Sequence, residues 1–296
     1  DACLFILNLS EKNISKNYCE VFDLDDSSIV KSKFGFRNNK FYSNLNEESH
    51  IIDGKSCFEW RQGVKHDCSK IMELEKHDDG YLNKKKEIVD IEDTLIYPLI
   101  KSSSIKSNIL KNSKKYVIIT QKRVRQDTDY IKDLAPKTWN YLKNNQEYFD
   151  NRKSVIYKTS PDFSIFGIGD YSFSNYKVGI SGFYKDPVFA LLRSEKPLMM
   201  DDTCYFLSFE KYEDAYIAML IVDSELVQNF IKSIAFLDSK RPFTKKILQR
   251  INFDECVNIL NFEDLINTEK NLGLINDIDE IHYKNFKNSL QPLYKF

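Results

Sequence analysis

The sequence predicts an α+β (mixed α/β) fold, and three observations carry that prediction. Short runs rich in β-branched and aromatic residues (TLIYPLI, KKYVIITQ, YKVGISG) have the composition of strands. Other stretches, TWNYLKNNQEYF and Asp214–Phe236 among them, place apolar residues at helical intervals. The two kinds follow one another without strict alternation, which disfavours a regular doubly wound sheet. Apolar residues at 42% and aromatics at 14% mark a globular chain, and 296 residues suffice for about two domains.

The elements follow in order. Residues 1 to about 9, DACLFILNL, form an apolar run expected of a strand covered on both faces, read as the last strand of an upstream domain. EVFDLDD and KFGFRNNKFYSNLNEE are expected to give short strands and turns, and a second unit starts near Ile51. There SCFEWRQGVKHDCSKIMEL reads as a strand, a turn at Gly63 and a polar loop entering an apolar segment. TLIYPLI is a strand ended by Pro98, and KKYVIITQ is a β-branched strand. Thr138–Phe149 is a helix with Pro136 just upstream. FGIGDYSF, YKVGISG and MDDTCYFLSF read as three strands. Asp223-Ser224 interrupts the helical pattern and supplies a cap for a second helix; a short helix is expected around Thr244–Arg250, beyond Pro242.

Four of the nine glycines fall in Phe163–Tyr184, FSIFGIGDYSFSNYKVGISGFY. A phosphate-cradling glycine loop needs a strand before it and a helix after it. Here aromatic and β-branched residues follow, so FGIG reads as a turn between strands. Six cysteines stand at 3, 19, 57, 68, 204 and 256, without a CxxC pair. No secretory signal is visible, so they read as reduced thiols of a cytoplasmic protein. Cys57, His66, Cys68 and His77 form one Cys/His cluster, in a spacing that fits no zinc pattern. No apolar run reaches membrane-spanning length, and no membrane partner is expected.

The net charge is −1, but its distribution is uneven. Lys101–Arg125 carries eight Lys/Arg and no acid, Ser239–Arg250 carries five and no acid, and acids collect in Asp23–Asp26, Glu73–Asp93 and Asp254–Glu280. Such segregation suggests one basic face; solvated faces of a Lys-rich chain are the plain alternative.

The order of several motifs resembles the C-terminal part of TaqI-like N6-adenine DNA methyltransferases. DACLFIL is similar to the closing strands of their catalytic domain. WRQGVKHDCSKIMEL resembles the opening of their target-recognition domain, YPLIKSSSIK and YVIIT the elements after it, and LVQNFIKS following IVDSE the helix pair. RPFTKKILQRINF is similar to the closing segment. The resemblance implies that residues 1–50 end a methyltransferase domain and its connection, 51–254 form the DNA target-recognition domain, and 255–296 a C-terminal helical extension. It implies double-stranded DNA as partner and an upstream methyltransferase domain. The Asn/Asp-Pro-Pro-aromatic motif that holds a flipped adenine is missing, as is a cofactor loop. Catalytic, metal and cofactor residues are therefore expected to be none in this chain, with S-adenosylmethionine bound upstream.

Candidate DNA contacts follow from residue type. Lys101, Ser102, Ser103 and Lys106 lie in a loop suited to phosphate contact, and Lys122, Arg123 and Arg125 leave the next strand. Trp60, Arg61 and Gln62 offer an Arg and a Gln fit for bidentate base contact, with Trp60 better suited to a core than to DNA. Lys65, His66, Lys177, Lys240 and Arg241 complete the set. Two other readings stay open: part of a bifunctional restriction endonuclease-methyltransferase, with Asp223 and Asp238-Ser-Lys240 as its nearest approach to a nuclease centre, or a non-enzymatic interaction scaffold.

Overall fold

The computed structural model describes residues 17–23, 25–45, 48–275 and 278–290. The strand expected in DACLFIL lies outside them. Along the chain come β1 (Tyr18–Phe22), β2 (Val30–Arg37), β3 (Lys40–Tyr42), β4 (Arg61–Gln62), α1 (Ser69–Met72), β5 (Glu73–His77), β6 (Gly80–Asn83), β7 (Ile88–Val89), β8 (Ile96–Ile100), β9 (Ile109–Leu110) and β10 (Lys115–Ile118). Then follow α2 (Ile131–Leu134), α3 (Pro136–Asn144), α4 (Gln146–Asp150), β11 (Tyr176–Ser181), β12 (Phe189–Arg193), β13 (Met199–Met200) and β14 (Cys204–Phe209). Six helices close the described chain: α5 (Tyr212–Asp223), α6 (Glu225–Ile234), α7 (Lys245–Leu248), α8 (Phe253–Ile259), α9 (Phe262–Asn271) and α10 (Glu280–Leu290). The fold is α+β.

The strands form three sheets. The first, β1-β2-β3, is antiparallel, and its second turn is tight because Asn38 and Asn39 both take positive φ. The second has six strands in the order β13-β8-β10-β5-β6-β7, and the third five in the order β4-β14-β11-β12-β9. In the third sheet the side chains alternate cleanly. Val178, Ile180, Leu191, Tyr205 and Leu207 face the helices, where Ala215–Val222 of α5 is buried on every side. Ala190, Leu192, Cys204 and Phe206 face the other way, toward Ile100, Ile105 and Met200. A separate core under the six-stranded sheet joins Leu74, Val117 and Ile118 to Ile131, Leu142, Phe149 and Phe163. Each fully buried side chain of this size contributes roughly 1.5–3 kcal/mol relative to exposure.

Several expectations need correction. Pro98 does not end its strand: it sits inside β8 opposite Tyr116, one residue before the pairing with β13 begins at Leu99. The stretch Thr138–Phe149 is two helices, divided at Asn145. FGIGDYSF is no strand; it makes one bridge, Lys65 to Phe166, then a 3₁₀ turn at Asp170–Phe173. Gly167 has φ of +67°, and a Cβ on it would stand 2.3 Å from the carbonyl oxygen of Gly63. A Cβ on Gly63 would meet the Asp201 carbonyl oxygen at 2.2 Å. These two glycines let three backbone segments cross in contact. By contrast, Ser224 caps α6 as expected, its side chain accepting from the Val227 N–H.

Candidate nucleic-acid interface

The backbone crossing positions a cleft of about 730 Å³. One wall is Val64, His66 and Asp67, fixed by bridges from Val64 to Asp201 and from Lys65 to Phe166. A second wall is the turn Lys101–Ser103 after β8, and a third is Asp201–Thr203 between β13 and β14. Asn151–Lys153, beyond α4, and Phe183 complete the lining.

Glu73 sits at the centre with its side chain 5% exposed. Lys101 Nζ donates to both its oxygens at 2.9 and 3.0 Å, and Lys84 Nζ lies 2.8 Å from Oε2. Burial pushes the Glu73 carboxyl up, but the hydrogen bonds from Lys84 and Lys101 outweigh it and hold it below the usual range. For Lys101 burial works downward, and the Glu73 hydrogen bond turns the result upward. His66 Nδ1 accepts from the Cys68 N–H at 3.1 Å, which leaves the proton on Nε2, 3.6 Å from Glu73. Burial brings the His66 pKa down to about 4, against the pull of the Glu73 charge, so the ring is neutral near pH 7. Asp201 Oδ1 accepts from the Thr203 N–H at 3.0 Å, and its Oδ2 lies 3.5 Å from Lys101. The centre is therefore a charge-paired polar network, with lysines rather than open positions facing its carboxylates. Among the described residues no group of three or more His, Cys, Asp or Glu is arranged to hold a metal ion.

The rim carries the polar groups that solvent can reach. Arg61 pairs with Glu59 and lies 4.5 Å over the Tyr171 ring. Gln62 Nε2 donates to the Asp202 carbonyl at 2.6 Å, and Arg241 Nη1 to the same oxygen at 3.3 Å. Lys65 pairs with Asp67 at 3.3 Å, and Ser103 is exposed. Burial, reinforced by the charge of Asp201, pushes the Asp202 carboxyl up, opposed by Arg241 at 3.9 Å. Arg123 reaches Asp170 at 3.5 Å, next in sequence to the Tyr171 that stacks on Arg61, so the second basic group abuts the first. Lys122 and Arg125 are exposed beside it, as are Lys106 and Lys240 on their own loops.

Four candidates are placed where DNA cannot touch them directly. Trp60 is fully buried in the helical core. Lys177 is 1% exposed between the sheets, its Nζ donating to the Ser174 carbonyl. His66 and Ser102 are buried, and Ser102 Oγ donates to Thr203 Oγ1 at 2.7 Å. Lys101 is also committed, to Glu73. Alternation explains Lys177, whose position in β11 points to the inter-sheet side; a lysine in a strand otherwise reads as exposed. Glu73, Asp201, Asp202 and Arg152 line the cleft and went unread in the sequence, because only the fold brings them together. Arg152 stacks 3.7 Å from Tyr157 and donates to the His66 and Ser164 carbonyls.

Asp223 and Asp238, the nearest approach to a nuclease centre, lie in separate surroundings, as do Cys57 and His77 of the Cys/His cluster. Asp223 is engaged with Asn108 and Gln228, and burial raises its pKa to about 8, whereas Asp238 pairs with Lys185 on the surface. Cys57 packs against the helical core, and His77 is exposed beside Asp79. Arg250, in the second basic run, is turned inward onto Asp53 at 2.6 Å. No helix among the described residues is long and apolar enough to cross a membrane.

No family model matches the chain. It is 42% identical over 269 residues to the type II methyltransferase M.NspV of a Nostoc species, a match covering 88% of this chain and 55% of that protein. The chain thus spans about half the length of this curated relative. Among solved structures, it resembles the DNA-bound type IIL restriction-modification enzyme MmeI with a TM-score of 0.42 at 10% identity, over 83% of this chain and 36% of that one. The type IIG restriction endonuclease BpuSI gives 0.43 at 14%, over 84% and 32%. At these scores neither likeness bears on function.

Proposed function

We propose that this chain is the DNA-recognition region of a site-specific type II DNA methyltransferase that modifies adenine at N6. The observation that carries the reading is the 42% identity with a type II methyltransferase across nearly the whole chain, in a sequence without the adenine-holding motif. In this reading residues 51–254 are the recognition domain and 255–296 its helical extension. Residues 1–50 are the end of the catalytic domain and the segment connecting it to the recognition domain; the catalytic domain binds S-adenosylmethionine and works in the cytoplasm.

The rim and the exposed loops outside it supply two classes of contact. Lys106, Lys122, Arg123, Arg125 and Lys240 are exposed cations suited to phosphates, which fix register without reading sequence. Arg61 and Gln62 are held by Tyr171 and the Asp202 carbonyl, so their donors are oriented before a base edge arrives. The paired centre below them keeps the cleft open and the walls fixed.

Fluorescence anisotropy with random and cognate duplexes tests this. Each neutralised phosphate adds about −0.9 to the slope of log K against log salt. Lys106, Lys122, Arg123 and Arg125 changed together to Glu should abolish most binding on both duplexes. Arg61→Ala should lose on the order of tenfold or more on the cognate site and little on random DNA. Unchanged affinity in the quadruple variant would remove the basis of the reading. Saturable one-to-one binding of S-adenosylmethionine to this chain in calorimetry would contradict the division of labour.

A further inference from the structure

The β1-β2-β3 sheet is turned inside out with respect to charge. An antiparallel sheet covered on one face normally sends polar residues to solvent. Here the pairing register puts Cys19, Val21, Phe34, Phe36 and Phe41 on one face, Phe34 opposite Cys19 and Phe41 opposite Phe36. Phe36 is 56% exposed, and Phe236 of the neighbouring helical layer, 59% exposed, stacks on Phe41 at 5.0 Å. Phe36 meets Phe41 edge-on at 5.4 Å. The cations of β2 alternate onto the opposite face, where Lys33 holds Glu20 at 3.0 Å and Arg37 donates to the Leu45 carbonyl. Among the described residues of β1–β3 the outward face is thus largely aromatic and carries no cation, which suits neither phosphate nor an acidic peptide. A contiguous patch of this kind marks a protein contact.

We infer that this aromatic face is the seat of the methyltransferase domain, an inference that rests on the reading proposed above. Two facts select that occupant. The curated relative continues well beyond the match, which covers 55% of its length. The face also belongs to the first described sheet, and only Ser10–Asn17 separate it from the apolar run DACLFILNL. If that run closes the catalytic sheet, as the resemblance implies, eight extended residues reach at most roughly 28 Å, so the two bodies must lie side by side. An apolar surface on the domain then covers Phe34, Phe36 and Phe236 and fixes the catalytic site relative to the DNA cleft.

The test uses the product of the complete gene with p-benzoylphenylalanine in place of Phe36, irradiated and digested. The expected product is a cross-linked peptide from a methyltransferase domain, in the same polypeptide or a co-purifying subunit. A peptide from a second copy of this chain, products confined to the intrachain neighbours of Phe36 such as Phe41, or no cross-link at all overturns the inference. In a second arm, Phe34→Thr with Phe36→Thr keeps β-branched residues in the strand. It should lower methylation of cognate plasmid at least tenfold while leaving duplex affinity in anisotropy unchanged. Methylation equal to that of the unaltered protein overturns the docking role. Absence of DNA binding in the unaltered protein would instead strike the recognition reading, and the cross-link would stand apart from it.

Discussion

Two lysines in this molecule have lost much of their water, with opposite results. Lys101 enters the cleft between Glu73 and Asp201 and is held charged above its ordinary value. Lys177 enters the space between the sheets, meets one carbonyl, and burial takes its pKa down to about 7. The same side chain is an anchor in one region and a strained guest in the other. Burial alone sets neither outcome; the availability of a carboxylate does.

The contrast can be broken most severely at Glu73. Glu73→Gln leaves Lys101 and Lys84 facing a neutral amide, and loss of a buried partner of this kind costs about 3 kcal/mol. The midpoint of urea unfolding should fall accordingly, and an unchanged midpoint would show the network to be ornamental. Lys177→Met should act in the other direction, raising stability by about 2 kcal/mol at pH 7. The sign follows from proton uptake. Between about pH 7 and 10.5 the unfolded lysine binds a proton that the folded one does not, so native stability rises with pH in that window. The unfolding midpoints of the variant and its parent, apart at pH 7, should draw together by pH 10.

His66 sharpens the comparison from the acid side. Its folded pKa of about 4 lies below the usual 6.5, so the unfolded ring takes up the proton first as pH falls. Stability should decline by roughly 2 kcal/mol between pH 6.5 and 4, and His66→Gln should flatten that limb. The smallest effect is expected at Lys122, Arg123 and Arg125. They are exposed, and changing them to Glu should move stability by less than about half a kcal/mol each while acting on DNA. A large loss of stability there would mean that the rim, too, is structural.

Some of this could be read before the fold was known. The helix pair α5 and α6 was legible because Asp223-Ser224 carries a capping signal in an otherwise continuous apolar pattern, and Ser224 does cap. The β5–β6 hairpin was not. Its first strand is charged (ELEKH), its second is only four residues long (GYLN), and the turn signal Asp79-Gly80 lay hidden in an acidic run. Strand β12, FALLR, went unread between Pro187 and Pro197 because it is buried on both faces and shows no alternation. In the site, residue type singled out Arg61, Gln62 and Lys65, and the fold puts Gln62 on the Asp202 carbonyl and Lys65 between the lining residues Val64 and His66. It could not tell that Lys101 is spent on Glu73, since that partner comes from 28 residues away.

If the rim reads DNA as proposed, the contact between Gly63 and Gly167 has a consequence for anyone who would retarget it. Arg61 and Gln62 stand just before one glycine, and Asp170 and Tyr171 just after the other. With no side chain at either position to act as a spacer, the two loops share a fulcrum: a shift in one is carried to the other through touching backbones. Libraries that vary the rim on a fixed pair of glycines will therefore sample new side chains on an old frame. A substitution at Gly167 would move both halves of the rim together, altering the frame itself.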